Sequence, residues 1–291
     1  MKPLPLLNLV SRLEDSAWLD PWVNRVKGTV NSVVPFPWLR DVLHGVPVGH
    51  PVHPVAVQIP MGAWTSAAVL DAVPGSERAA GILIGVGAIA AVPSAVAGFT
   101  DWSELHEQQQ RVGLVHAAAN IVATGLYVAS LVERSRGRQS RGKLLGYLGF
   151  ATLGAAGFLG GHLTYRQAAG VNHSEDVPHR FPVGWHTLAP LHEIAEDELE
   201  QRMVAGMPLL VFREGQVVHV LSDLCSHLSG PLHEGKLDQE RGEACVVCPW
   251  HGSVFELRTG EVRGGPATGG QPRFSTRIED GVVEVSLPGA G

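Results

Sequence analysis

The stretch CSHLSGPLHEG (residues 225–235), followed by VCPWHGSVFELRTGEVRGGPA (247–267), decides how the C-terminal part of this chain is read. It contains two sulfur–imidazole pairs: Cys225 and His227 as CxH and, after a gap of twenty residues, Cys248 and His251 as CxxH. Mixed Cys/His pairs on loops suit zinc, or a [2Fe-2S] centre in which two histidines replace two cysteines on one iron. The surrounding apolar runs (PLLVFRE, QVVHVLS, ACVVC, SVFELR, RFSTRI, VVEVSL) are short and are broken by EG, DG, TG and GG. That pattern predicts an all-β domain over 178–288 with the ligand pairs on its loops. Cys245 is the only other cysteine. At an odd offset from Cys248 it points to the opposite face of a strand, so we read it as a small core residue, with no disulfide framework to build.

The flanking residues separate iron from zinc. Along their whole length the two segments resemble the Rieske [2Fe-2S] motif, and the resemblance covers about residues 180 to 288. It implies that Cys225 and Cys248 bind the buried iron and that His227 and His251 bind the outer iron near solvent. It also implies that Gly264, Gly265 and Pro266 form the proline loop that covers the cluster. Neutral imidazoles where thiolates would add negative charge make it easier to accept an electron, and their exposed ring nitrogens can couple that electron to a proton. The Rieske proteins of cytochrome bc complexes carry a disulfide between the cluster loops, whereas here Trp250 stands at the second-loop position. Of their two potential-raising hydroxyls, Ser253 is kept and the tyrosine is replaced by Phe255. Hydrogen bonds to sulfur set where such a centre falls within roughly −150 to +300 mV, so a midpoint in the lower half, of ferredoxin type, is expected.

Ahead of this domain, four stretches are apolar for about 20 residues each, the length that crosses roughly 30 Å of hydrocarbon. They are Pro54 to Val73, Ala79 to Thr100, Gly113 to Val132 and Leu144 to Leu163, all rich in Gly, Ala and Ser as close helix packing in lipid requires. AAGILIGVGAIAAVPSAVAGFT carries no charge on any face, which sets aside a soluble amphipathic bundle. The expected architecture is thus multi-domain, α then β: an interfacial amphipathic segment over 1–45, a four-helix transmembrane bundle over 46–170, and the β domain. In the first segment Leu19, Trp22, Val23, Val26, Val30 and Val33 recur at helical spacing, with Trp18, Trp22 and Trp38 as membrane-belt residues. MKPLPLLNLVSRLEDSAW meets Arg12, Glu14 and Asp15 too soon for the apolar core of a cleavable signal.

The topology gathers His50, His53, Asp101, His116 and His162 at one face of the membrane, side A, where ionisable groups are costly and mark sites. Such a ring can ligate a b-type haem, most naturally between His116 and His162, bind quinone or quinol, or hold one metal ion. As plain interfacial side chains the same residues would only hydrogen-bond backbone at helix ends. GHPVHPVAVQIPMGAW, AGFTDW, HAAAN and GGHLTYR together resemble an uncharacterised bacterial four-helix membrane family, domain of unknown function 2231, over roughly 45 to 170. That likeness implies a fold and no chemistry.

A formal charge of −6 with no basic face leaves no footprint for nucleic acid. The favoured function is a membrane-anchored electron carrier exchanging single electrons with a redox partner protein or quinol. Its rivals are a redox sensor and a quinol-oxidoreductase subunit using the side A histidines. A Rieske oxygenase would need a second, mononuclear iron in a large domain after the cluster, and forty residues follow His251. In orientation, side B carries Arg78, Arg134, Arg136, Arg138, Arg141 and Lys143 against mainly Arg40, Arg111 and Arg166 on side A. That bias makes this a multi-pass cell-membrane protein with its β domain extracytoplasmic. Cluster insertion in the cytoplasm argues the other way, since export of a folded domain calls for a twin-arginine signal. Protease added to intact cells is expected to digest the 178–288 domain, and full protection would place it inside.

Overall fold

Where the chain is apolar without interruption the computed structural model, which describes residues 5–239 and 243–288, forms long helices, and where prolines crowd together it breaks them. The helices are α1 (Pro5–Glu14), α2 (Asp20–Val33), α3 (Pro37–His44), α4 (Val52–Ala56), α5 (Gln58–Asp71), α6 (Glu77–Trp102), α7 (Glu107–Ser135), α8 (Gln139–Tyr165) and the single turn α9 (Val177–Arg180). Two units result: Met1–Pro35 with Pro51–Ala169, and Phe36–His50 with Gly170–Gly291. Helix α3 thus groups with the β domain, away from the helices around it in sequence.

Among the described residues of the first unit three helices, α6, α7 and α8, are long and apolar enough to cross a membrane, not the four expected. The stretch Pro54 to Val73 is divided between α4 and α5 at Val57. Pro60 has no N–H to give the carbonyl of Ala56 and its ring crowds that carbonyl, and Pro51 and Pro54 lie within the same ten residues. Pro93 alone is absorbed within α6, so it is the concentration of prolines that ends the helix. The 14 residues of α5 are about 21 Å long at 1.5 Å per residue, short of a bilayer core.

The abundant glycines of these helices make room for neighbouring side chains. A Cβ on Gly87 would collide with the Trp64 indole, one on Gly113 with Trp102, and one on Gly149 would press on Tyr127 at 3.2 Å. Trp64 and Tyr127 stack at 4.3 Å between centroids, and Trp64 Nε1 donates to the Ile84 carbonyl at 3.2 Å. A charged pair sits in the same packing. Arg134 grips Asp71 through two nitrogens, at 2.9 and 2.5 Å, with side-chain exposures of 6% and 2%. Arg134 Nε also donates to Ser130 Oγ at 3.1 Å, and Gly142 leaves space for its stem. The N-terminal helices are fastened by Arg111, which donates to both Asp20 carboxylate oxygens at 2.7 and 2.9 Å and to the Glu14 carbonyl at 2.8 Å. Leu19 and Val23 are buried while Trp18 and Trp22 are exposed.

Among the described residues the second unit holds ten strands: β1 (His186–Pro190), β2 (Leu199–Val204), β3 (Met207–Glu214), β4 (Val217–Ser222), β5 (Lys236–Asp238), β6 (Cys245–Val247), β7 (Val254–Glu256), β8 (Val262–Gly264), β9 (Arg273–Glu279) and β10 (Val282–Ser286). They form two antiparallel sheets, ordered β1-β10-β9-β4-β3-β2 and β5-β6-β7-β8. Asp280-Gly281 and Ala205-Gly206 turn two hairpins with positive φ at both positions, matching the strand twist. One core, with Leu209, Val211, Val220 and Val283, backs the larger sheet. The other joins Leu210, Phe212 and Leu221 to Val246, Phe255 and Leu257 and contains Cys225 and Cys248.

Removing one member of the Asp71–Arg134 pair strands a buried charge, so Asp71→Ala is expected to lower the stability of the detergent-solubilised protein by about 3–5 kcal/mol. In a double-mutant cycle, Asp71→Ala with Arg134→Met should recover part of that loss. Thermal unfolding with no coupling between the two sites would refute the pairing.

Candidate metal centre

Each sulfur–imidazole pair lies on a loop closed by its own backbone. In the first, after β4, Cys225 N–H donates to the Gly230 carbonyl at 2.9 Å and Ser229 N–H returns to the Cys225 carbonyl at 2.8 Å, with Ser229 at φ +61°. In the second, between β6 and β7, Cys248 N–H donates to the Ser253 carbonyl at 2.8 Å and Gly252, at φ +73°, donates to the Cys248 carbonyl at 3.2 Å. The loops meet so that Cys225 and Cys248 lie within hydrogen-bonding reach of each other. The rings of His227 and His251 meet separately, 5.1 Å apart and nearly perpendicular. Cys225 and Cys248 are buried, His227 is 9% exposed and His251 is half-buried.

The electrostatics suit sulfur anions. A hydrogen bond from Cys225 brings the Cys248 thiol down to about 7, helped by the N–H groups of Trp250 and His251. Cys225 is pushed up by that same neighbour and by burial, although the N–H groups of His227 and Leu228 work the other way. Two adjacent thiols cannot both ionise easily alone, whereas a bound cation charge would let both do so. The donors come as a sulfur pair and an imidazole pair. Among the described residues no three His, Cys, Asp or Glu side chains converge on one point.

Small residues clear the space. A Cβ on Gly230 would come within 2.9 Å of Cys248 Sγ and 3.1 Å of the Trp250 ring. Gly265, at φ +84°, lies so close to the second loop that a Cβ would meet the Gly252 carbonyl oxygen at 2.6 Å and Ser253 Cα at 2.7 Å. Gly264–Ala267, with Pro266 partly buried in it, is held there by Ala267 N–H donating to Ser253 Oγ at 3.1 Å. Ser253 is fully buried, as is Phe255, whose ring fills the core beneath the cysteines.

Two supporting residues escaped the sequence reading. Asp223, fully buried, accepts His233 N–H at 2.8 Å and Gln201 Nε2 at 2.7 Å, and lies 2.7 Å from His233 Nδ1. His233 thereby locks the loop carrying Cys225. Gln271 donates to the carbonyls of Ser222 and Leu224, at 2.7 and 2.5 Å, and accepts Ser226 N–H at 3.0 Å. A carboxylate ending the apolar run VVHVLS just before a ligand was the available signal for Asp223. Gln271 offered none.

Three of the membrane histidines make hydrogen bonds of their own. His53 Nδ1 lies 2.8 Å from the Ser94 carbonyl, and His116 Nδ1 lies 2.8 Å from the Ala156 carbonyl with Asn120 Nδ2 at 3.2 Å from its Nε2. His162 Nε2 is 2.6 Å from Glu14 Oε1. Asp101 lies in the last turn of α6, and His50 falls in the second unit.

Comparison with known proteins finds two families along the chain. A family model described as Rieske [2Fe-2S] domain matches residues 184–275, and one described as predicted membrane protein (DUF2231) matches 49–173. The anthranilate 1,2-dioxygenase ferredoxin subunit of Burkholderia cepacia is 37% identical over 103 residues, covering 35% of this chain and 92% of that protein. Ferredoxin CarAc of Metapseudomonas resinovorans is 32% identical over 83 residues, 28% of this chain and 74% of that one. Among solved structures, the ferredoxin of carbazole 1,9a-dioxygenase from Nocardioides aromaticivorans IC177 has 25% identity, covering 35% and 95% of the two chains with a TM-score of 0.32. Sequence, loop geometry and relatives converge: the chain belongs to the Rieske [2Fe-2S] family, joined to a multi-spanning DUF2231 membrane domain, and is a membrane-anchored electron-transfer protein.

Proposed function

We propose that Cys225 and Cys248 hold one iron and His227 and His251 the other, and that the protein passes single electrons to or from a redox partner protein at the membrane. The division of the donors into a sulfur pair and an imidazole pair carries this reading, because it suits two bridged irons with two protein ligands each. When bound, the [2Fe-2S] cluster supplies a one-electron couple. The chain's own residues set its environment. The N–H groups of His227 and Leu228 face Cys225 Sγ and those of Trp250 and His251 face Cys248 Sγ, stabilising negative charge on sulfur. Ser253 adds a hydroxyl beside the second loop, whereas Phe255 offers no donor, which favours a lower-half midpoint of ferredoxin type.

The partner class follows from the relatives, two of which are ferredoxins by description, one of them a dioxygenase subunit. Trp250 is 48% exposed, its ring edge-on to His251 at 6.4 Å, and this edge is where we place the partner. The helical unit serves as anchor. Its histidines we read as groups that tie helices together, supported by the bonds of His53 and His116 to backbone carbonyls and of His162 to Glu14. The basic segment after α7 supports keeping the cluster unit outside the cytoplasm, although Arg134 is already matched by Asp71.

Anaerobically purified protein is expected to contain two irons and two acid-labile sulfides per chain, with visible absorption that dithionite bleaches. Cys248→Ser should lose both, and a parent protein lacking them would end the proposal. Redox titration should return a midpoint in the lower half of roughly −150 to +300 mV, and Phe255→Tyr should raise it by restoring a donor. Asp223→Ala, which leaves the His233 and Gln201 donors unmatched, is expected to cost about 2–5 kcal/mol of domain stability and to reduce iron retained on dilution. Full retention in that variant would show that the first loop holds itself.

A further inference from the structure

Both segments that flank the membrane helices in sequence reach the cluster loops. Helix α3, ahead of them, packs against β8, and Asp41 Oδ1 accepts the N–H of Gly265, 224 residues away, at 2.8 Å. Gly265, at φ +84°, follows the last residue of β8 and belongs to the covering loop. On the other side of the membrane helices, His173 N–H donates to the Ser226 carbonyl and Ser174 Oγ to the Leu224 carbonyl, both at 2.9 Å. Those two carbonyls bracket Cys225. Ser174 is 1% exposed and its N–H is fixed by Asn172 Oδ1 at 2.9 Å, so this segment is ordered by its own turn before it reaches the loop. Asp41 and Ser174 both lie outside residues 184–275, which match the Rieske family model.

We propose that these flanking segments are straps that position the metal centre, Asp41 holding the covering loop and Ser174 the loop of Cys225. They are positioning residues, acting through backbone that touches the cluster. The inference rests on the ligand assignment made above. An amide bonded to a carboxylate is protected from exchange, so the covering loop should open less often than a loop without such a tie. Asp41 also sets a negative charge beside that loop, which opposes reduction of the centre.

The test uses the full-length protein in detergent, as parent, Asp41→Ala, Asp41→Asn and Ser174→Ala. Hydrogen exchange at Gly265 should quicken about tenfold or more in Asp41→Ala and stay within about threefold of the parent in Asp41→Asn, which keeps the acceptor. Both Asp41 variants should raise the midpoint potential, and Ser174→Ala should change the visible circular dichroism at unchanged iron content. Parent-like Gly265 exchange in Asp41→Ala, or parent-like potential and dichroism in all variants, overturns the proposal. If Asp41→Ala does not accumulate, Asp41→Leu takes its place, parent-like Gly265 exchange counting against the strap. A parent without iron or sulfide would instead sink the ligand assignment, because Gly265 exchange is read without the metal.

Discussion

Two sulfur atoms held side by side in an apolar core are the constraint that the cluster unit is built to satisfy. Cys225 and Cys248 belong to the same packed group as Leu210, Phe212 and Phe255, where a bare thiolate pair would repel itself in a poorly polarisable medium. The fold answers with backbone N–H groups aimed at each sulfur and with loops closed by their own backbone hydrogen bonds. Everything around them follows that need: glycine at 230 because a side chain would strike Cys248, glycine at 265 because the covering loop lies on the second ligand loop. Asp223, Gln201, His233 and Gln271 then fasten the first loop from behind.

The helical unit solves a different problem with related means. In lipid there is no water to absorb an unmatched charge, and a charged pair buried among these helices, Asp71 with Arg134, is joined at two points. Glycine there admits indole, phenol and the stem of an arginine between helices. Such knobs give the bundle specific contacts that plain aliphatic packing against lipid-like neighbours would lack.

Much of this was legible in the residues themselves. The ligand spacing and its flanks pointed to the cluster loops because chemistry fixes residue type at each position, and the turn dipeptides marked hairpins such as Asp280-Gly281 because only certain residues accept positive φ. The apolar runs announced membrane helices, yet hydropathy averages over a window and does not register three prolines near residue 57 as a break. Pairings distant in sequence were out of reach. Nothing local tells that His162 turns to Glu14, that Arg134 finds Asp71, or that α3 leaves its neighbours in the chain for the β unit. Each depends on which surfaces meet after folding.

The bond between Asp41 and Gly265 also bears on the order of assembly. During synthesis the amide at 265 emerges long after α3, and the membrane helices lie between them in the chain. Contacts of such separation are slow to form, because the loop between the partners must close before any bond rewards it. Helix α3 therefore stays without its final neighbour until the backbone around residue 265 has been made. A chain arranged this way can lay the Gly264–Ala267 loop on Ser253 first, through contacts near in sequence, and gains the tie to Asp41 last.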